Sequence, residues 1–141
     1  ILDKLRSEYP EVYQWHDSCW EQARKESVIY EGFSLPRYLY GHLDDFRGIS
    51  YSWPTQATAS GIINRSLVRV HSYLRSHLFA RVICQVHDSL LFEVEEEKVD
   101  KFIREVKPLM EQPTTIFNYP NVVFPTEAKV GKRWGSMEVW Q

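Results

Sequence analysis

Residues 82–94 read VICQVHDSLLFEV, and this stretch decides the fold. Two apolar runs rich in β-branched side chains flank a polar centre formed by His87, Asp88 and Ser89. This pattern predicts two antiparallel strands joined by a tight polar turn. Aspartate favours turns because its carboxylate bonds nearby backbone N–H groups, and an aspartate on a rigid hairpin can also bind Mg²⁺ against a phosphate. The pattern alone leaves both a plain turn and an active site open.

Helical periodicity lies on both sides of this hairpin. Upstream, apolar residues recur every three or four positions and predict a helix that starts at Pro54, because proline suits a first helical turn. These apolar positions are Ile63, Leu67, Val70, Leu74 and Leu78. Downstream, the three glutamates at 95–97 suit the positive end of a second helix with one apolar face. That face consists of Val99, Phe102, Ile103, Val106 and Met110.

The remaining segments complete the order of elements. Residues 1–30 carry helical spacing, which Pro10 divides into a short and a longer helix. Residues 31–53 form an irregular connection that can hold a hairpin, and residues 124–130 predict a late strand. Helices, hairpin, helix and strand in this order predict an α+β domain with a mainly antiparallel sheet.

Length and composition indicate the class of protein. At 141 residues, with 43% hydrophobic and 26% charged residues, the chain fits one soluble globular domain with a buried core. Its apolar runs are too short to span a bilayer, and the start lacks a signal peptide and an initiator methionine. Cys19 and Cys84 are expected to be reduced thiols. We therefore expect a cytoplasmic piece of a longer chain, without a membrane partner.

The charge distribution is uneven along the chain. A net charge of -2 argues against a freestanding basic nucleic-acid binder. Residues 46–87, however, contain no Asp or Glu, and they hold five arginines and three histidines. A basic stripe between acidic flanks fits local binding of an anionic polymer, although a chance run of solvated arginines explains it equally well.

Several stretches resemble family A DNA polymerases. QVHDSLLFEV at 85–94 resembles motif C, usually QVHDELxFEV, and WPTQATASGIINRSLVRV at 53–70 resembles the preceding segment, usually NxPxQGTAADIIKxAM. FPTEAKVGKRWGSM at 124–137 resembles the closing strand with its V-G-x-x-W pattern. SEYPEVYQW at 7–15 resembles the region just after the fingers helix, so the resemblance covers nearly the whole chain.

The resemblance implies a role for individual residues. Asp88 matches one of two aspartates that bind the catalytic Mg²⁺ pair, and His87 matches the histidine that contacts the primer terminus. Gln56 matches the glutamine that reads minor-groove acceptors common to all base pairs. Ser52 stands where the family has an asparagine near the DNA. Arg37, in SLPRYL, matches an arginine of the family's Gly-Arg-Arg-Arg loop.

Further positions, on the predicted helix and in the hairpin turn, bear on DNA binding and on the metal. Arg65, together with Arg69 and Arg75, lies away from the apolar stripe and can contact the DNA backbone or be solvated. The family usually has glutamate after His-Asp, whereas this chain has Ser89, and Ala57 stands where glycine is usual. Serine carries no negative charge, so help with the metal has to come from elsewhere.

The resemblance also implies the organisation and the activity. The chain is expected to be a single C-terminal fragment, with 1–30 as the helical region after the fingers helix, 31–53 as a connecting loop and 54–141 as palm. It would serve template-directed nucleotidyl transfer with primer–template DNA, dNTP and two Mg²⁺ ions. Motif A, which holds the other metal aspartate, and the fingers helix are absent from this sequence. We therefore expect an inactive chain that needs the N-terminal polymerase portion.

That portion can belong to the same chain or be a separate subunit, as in a split or phage-like polymerase. The expected location is the cytoplasm of a bacterial or phage-infected cell, at the nucleoid. Two alternatives compete with this prediction. One is a non-catalytic DNA-binding or scaffold module, which Ser89 and Ser52 make credible. The other is an HD-type metal phosphohydrolase, suggested by the pairs His16-Asp17 and His87-Asp88.

Overall fold

The computed structural model describes residues 2–140, apart from the side chains of residues 2, 3, 43 and 44. The chain divides into two compact units, residues 1–59 with 116–118 and residues 60–115 with 119–141. Both cysteines are free thiols, as predicted. Between residues 2 and 140, no helix is both long and apolar enough to cross a membrane.

The first unit begins with the two predicted helices. The helices are α1 (Leu2–Glu8) and α2 (Pro10–Glu26), and the break at Pro10 is confirmed. A short antiparallel hairpin follows, formed by β1 (Val28–Tyr30) and β2 (Pro36–Tyr38). Half-buried tryptophans and the 46–53 segment pack around a small apolar core. The buried members of this core are Ala23, Ile29 and Leu39.

The long helix α3 (Arg47–Leu74) starts seven residues before Pro54, so the predicted start and the predicted loop over 31–53 are partly wrong. Pro54 is fully buried inside the helix, and its burial offsets a cost of about 3 kcal/mol for an interior proline. Nearby hydroxyls bond the carbonyls around the proline. Ser50 Oγ donates to the Arg47 carbonyl at 2.7 Å, and Thr58 Oγ1 donates to the Pro54 carbonyl at 2.6 Å.

The second unit contains the predicted hairpin, which is confirmed. Strands β3 (Ala80–Val86) and β4 (Ser89–Val94) pair antiparallel, and a 3-10 turn at 96–98 leads into α4 (Val99–Met110). The predicted apolar face of α4 packs against α3 residues and the hairpin. The fully buried members of this core are Val70, Leu74, Ala80, Phe102, Ile103 and Val106.

The predicted apolar stripe of α3 is correct except at its end. Ile63, Val70 and Leu74 are buried, whereas Leu78 is 93% exposed. The helix ends at Leu74, because the Ser76 and His77 N–H groups bond carbonyls three residues back, at 3.3 and 3.0 Å, and the chain tightens into a turn. A residue beyond that turn no longer follows the helical period, so Leu78 points into solvent.

The C-terminal part differs from the predicted late strand. The structure forms β5 (Thr114–Ile116), β6 (Tyr119–Val122), β7 (Lys129–Val130) and β8 (Glu138–Val139). The residues just before β7 are not strand, because Thr126 donates its backbone N–H to Glu111 Oε1 at 2.6 Å instead of to a neighbouring strand. The α+β class is confirmed, and the described strands form four two-stranded sheets where the sequence predicted one.

The hydrogen bond between Glu111 and Thr126 makes the stability of the fold depend on pH. The Thr126 backbone N–H lowers the pKa of Glu111 below its ordinary value of 4.5, with smaller help from the Thr126 hydroxyl and Lys107. A carboxylate with a depressed pKa stabilises the fold above its unfolded pKa and loses that contribution as pH falls through the folded pKa. We expect Glu111→Gln to lower the free energy of unfolding by about 1 kcal/mol at pH 7.

Urea denaturation of the variant and the original chain between pH 7 and pH 3 measures this difference. It should shrink below pH 4.5 and disappear once Glu111 is protonated in both states. Glu97→Gln, at an exposed position before α4, is the matched control and should change stability by less than about 0.5 kcal/mol. A pH-independent difference for Glu111→Gln would contradict the charge-based explanation.

Candidate active site

The tip of the β3–β4 hairpin is tighter than the sequence predicted. Val86 pairs with Ser89, so only His87 and Asp88 connect the strands. His87 has a φ of 51°, which lies in the left-handed region that residues other than glycine rarely adopt. Ser89 Oγ donates to the Val86 carbonyl at 2.8 Å, and Gln85 Nε2 donates to the His87 carbonyl at 3.4 Å. Side chains on both strands therefore hold the turn in place.

The hairpin is mounted on the core of the second unit. Phe92 on β4 contacts Phe102 on α4 edge to face, with ring centroids 5.0 Å apart. Val82 and Val94 pack against the same core. The pairing register shifts between Val82 and Cys84, a bulge-type irregularity that strengthens strand twist. The apolar faces of both strands thus anchor the polar tip.

Asp88 is exposed at this tip and lines a groove of about 720 Å³ within the second unit. The groove runs between β4, α4 and the segment from residue 125 to 137, and its floor includes Phe92 and Ile103. Mg²⁺ prefers carboxylate oxygens and usually completes its octahedron with water and substrate phosphates. Across the described residues, no group of three or more His, Cys, Asp or Glu side chains could hold a metal ion. At the hairpin tip, the carboxylate available to such an ion is that of Asp88.

The other predicted DNA contacts lie in the first unit or on α3. Gln56 is exposed and Ser52 half-buried, and they are four residues apart on one side of α3. Arg37 is exposed on β2, and its guanidinium carbon lies 5.7 Å from the centre of the Trp53 ring. This cation–π contact orients Arg37 while leaving its donors accessible. Arg65 is exposed on the α3 surface of the second unit.

Arg69 has a role that the sequence did not indicate. Its Nε donates to the Leu109 carbonyl at 2.7 Å, and a terminal nitrogen donates to Ser66 Oγ at 3.0 Å. Burial and the charge of Arg65 lower the pKa of the Arg69 guanidinium. Arg69 thus joins α3 to the last turn of α4 and is not a free DNA contact. No local signal predicts this bond, since its partners are 40 residues apart.

Two further contacts concern residues of the sequence motifs, namely Gly131 of the closing strand and His16 of the first His-Asp pair. A Cβ at Gly131 would lie 2.6 Å from the Ser136 carbonyl oxygen, so the loop between β7 and β8 requires glycine there. His16 stacks on Tyr51 with ring centroids 4.2 Å apart. This stacking gives His16 a packing role and does not favour the phosphohydrolase alternative, which needs His16 as a metal ligand.

Comparison with solved structures identifies the class of fold. The POL domain of Pol1 from M. smegmatis, solved in complex with DNA primer-template and dNTP, matches 86% of this chain with a TM-score of 0.74. The two share 23% sequence identity, and the match covers 22% of the M. smegmatis chain. The likeness shows that this chain has the fold of part of a polymerase domain.

The chain belongs to DNA polymerase family A, whose family model matches residues 1–136. DNA polymerase I of Pseudomonas aeruginosa is 32% identical over 142 aligned positions, which cover 94% of this chain and 15% of that enzyme. The thermostable DNA polymerase I of Thermus aquaticus is 26% identical over 93% of this chain and 16% of its own length. The family predicted from the motifs is thereby confirmed, and the chain spans about 15% of the length of these relatives.

Proposed function

We propose that this chain is the palm part of a DNA-directed DNA polymerase and supplies one metal-binding carboxylate and several primer–template contacts. The observation that carries the proposal is the tip of the β3–β4 hairpin. There, in a member of DNA polymerase family A, a two-residue turn presents an exposed Asp88 on a packed apolar mount. A rigid mount matters because a catalytic group has to be held close to its productive position.

Each side chain has a separate task in this proposal. Asp88 holds Mg²⁺, and a pair of such ions stabilises the attacking and leaving oxygens of an in-line phosphoryl displacement. His87, next to it on the turn, donates a hydrogen bond to the primer terminus. Gln56 donates from its amide to the minor-groove acceptors that all base pairs share, so it tests pair shape and not sequence.

Phosphate contacts complete the proposed DNA interface. Arg37 and Arg65 bind backbone phosphates, and Ser52 adds a hydroxyl beside Gln56. These contacts position the duplex without reading its sequence. Because the net charge of the chain is -2, such local cations matter more than any overall attraction to DNA.

The proposal requires a second polypeptide segment. A two-metal site needs carboxylates from at least two segments, and the tip described here offers Asp88. We propose that the missing carboxylate and the triphosphate contacts come from the N-terminal polymerase portion, in the same chain or as a separate subunit. Residues 54–141 then form the palm, and residues 1–53 form the preceding helical region and connection.

A chimaera tests this function. Residues 1–141 replace the matching segment of the P. aeruginosa DNA polymerase I, and Mg²⁺-dependent primer extension is measured. We expect extension by the chimaera within about a hundredfold of the parent enzyme, and none by the isolated 141-residue chain. The control enzyme carries its own segment reinserted through the same junctions.

Other outcomes distinguish the alternatives. A folded chimaera that binds primer–template but does not extend it would support a non-catalytic DNA-binding module and refute the polymerase proposal. Robust extension by the isolated chain would show that no further carboxylate is needed. Circular dichroism and thermal unfolding of the chimaera separate loss of chemistry from loss of folding.

A further inference from the structure

A second cavity, of about 320 Å³, lies within the first unit. Helix α2, the connection between β1 and β2, and the turn at 117–118 form its walls. Three aromatic side chains line it, Trp15, Tyr30 and Phe117, and Trp15 meets Phe117 edge to face with centroids 6.3 Å apart. Its volume is at the lower end of the range of small-molecule sites, about 300–1,000 Å³.

The wall of this cavity contains a buried acid with an unused oxygen. Glu31 is 4% exposed, and its Oε1 accepts the Leu35 backbone N–H at 3.0 Å. Its Oε2 is shielded from solvent and has no hydrogen-bond partner among the described residues. Burying a carboxylate oxygen without a donor is unfavourable, so such an oxygen in a native fold calls for an explanation.

The cavity has no positive group of its own to pair with Glu31. Its lining residues include no Lys, Arg or His. Aromatic faces attract cations through their negative π-surface, and a carboxylate attracts them through its charge. The combination of an unpaired acid with aromatic walls is therefore complementary to a small organic cation.

We propose that this cavity binds one organic cation, a guanidinium or primary ammonium group, with its N–H donors on Glu31 and its carbon chain against Trp15 and Phe117. Glu31 lines the cavity, and its Oε2 is shielded from solvent in the structure. Rotation of the carboxylate about its last side-chain torsion, which is soft for glutamate, would turn Oε2 toward the ligand and move Oε1 away from the Leu35 N–H, so the Leu35 amide should report binding. The site uses none of the residues assigned to polymerase chemistry, so it stands whether or not that function holds.

Titration of the 141-residue chain with n-butylguanidinium tests the proposal. We expect saturable ¹H–¹⁵N shifts of the Glu31, Gly32 and Leu35 amides and of the Trp15 indole, with a dissociation constant on the order of 1 mM. The neutral isostere n-butylurea should bind at least tenfold more weakly. Equal binding of the urea, or no saturable shift with the guanidinium, would overturn the proposal.

Three variants test whether the Glu31 carboxylate is the group that binds the cation. Glu31→Gln should weaken binding at least tenfold, whereas Glu11→Gln, at an exposed position on the same helix as Trp15, should leave it within twofold. Ser18→Lys places an ammonium at the cavity wall and should also abolish binding, which keeps the test valid if Glu31→Gln does not fold. Unchanged binding in folded Glu31→Gln, or in Ser18→Lys, would refute the assignment.

The source of the cation can be a free small molecule or a basic side chain of another polymerase segment. The chimaera distinguishes them. Binding of n-butylguanidinium to both the isolated chain and the chimaera indicates a free ligand. Binding to the isolated chain alone indicates that a side chain of the remaining polymerase fills the cavity.

Discussion

Asp88→Asn in the chimaeric polymerase should lower the rate of nucleotide incorporation by on the order of 1000-fold, while primer–template affinity stays within about threefold. The metal pair stabilises transition-state charge by several kcal/mol, and each 1.36 kcal/mol corresponds to a factor of ten in rate. Asparagine keeps the size of the side chain but removes the charge that, in the proposed site, holds Mg²⁺. Single-turnover incorporation at saturating dNTP measures the chemical step, and fluorescence anisotropy measures DNA binding.

Asp17→Asn is the matched control, because it makes the same change in the other His-Asp pair. Asp17 is exposed on α2, beside a histidine that stacks on Tyr51, and we expect its loss to leave incorporation within twofold. Normal turnover by Asp88→Asn would refute the metal-ligand assignment. Equal damage by both variants would instead favour a mechanism that needs both pairs.

Leu74→Ala should lower the free energy of unfolding by about 2–5 kcal/mol, and Leu78→Ala should change it by less than about 0.5 kcal/mol. The two leucines carry the same side chain at positions that the sequence period treats alike. Leu74 is 8% exposed in the core of the second unit, and Leu78 is 93% exposed. Truncating Leu74 loses buried apolar surface and leaves a cavity, whereas truncating Leu78 only shortens a solvated side chain.

Urea denaturation followed by far-ultraviolet circular dichroism measures the difference. With a slope of about 2 kcal/mol per molar urea, Leu74→Ala should shift the midpoint by about 1–2 M. Hydrogen exchange of the β3 and β4 amides shows whether the loss falls on the hairpin that carries Asp88. A large effect of Leu78→Ala would mean that the apolar stripe continues past Leu74, as the sequence period alone suggested.

Local patterns in the sequence predicted the elements that depend on neighbouring residues. Alternation around His87-Asp88 predicted the β3–β4 hairpin, and a period of three to four predicted α3 and the apolar face of α4. The motif at 85–94 also indicated the family, which the comparisons confirmed. These predictions succeed because hydrophobic periodicity and turn chemistry act over a few residues.

Boundaries were less accurate, because tertiary contacts override local preference. Proline normally starts a helix, but here the Pro54 ring is fully buried and α3 begins seven residues earlier. The residues before β7 have strand-like side chains, yet the Glu111 carboxylate takes the Thr126 backbone donor. At Pro54 the burial of the ring, and before β7 a contact from 15 residues away, override the local preference.

The sequence by itself determined the α+β class, the hairpin with Asp88 at its tip and membership of the polymerase family. The tertiary structure alone decided that Arg69 bonds the Leu109 carbonyl, that Leu78 is exposed and that Glu31 is buried with an unpaired oxygen. The physical reason is the distance along the chain over which each kind of interaction acts. Periodicity and turns are local properties, whereas burial and hydrogen-bond partners depend on residues that meet only after the chain has folded.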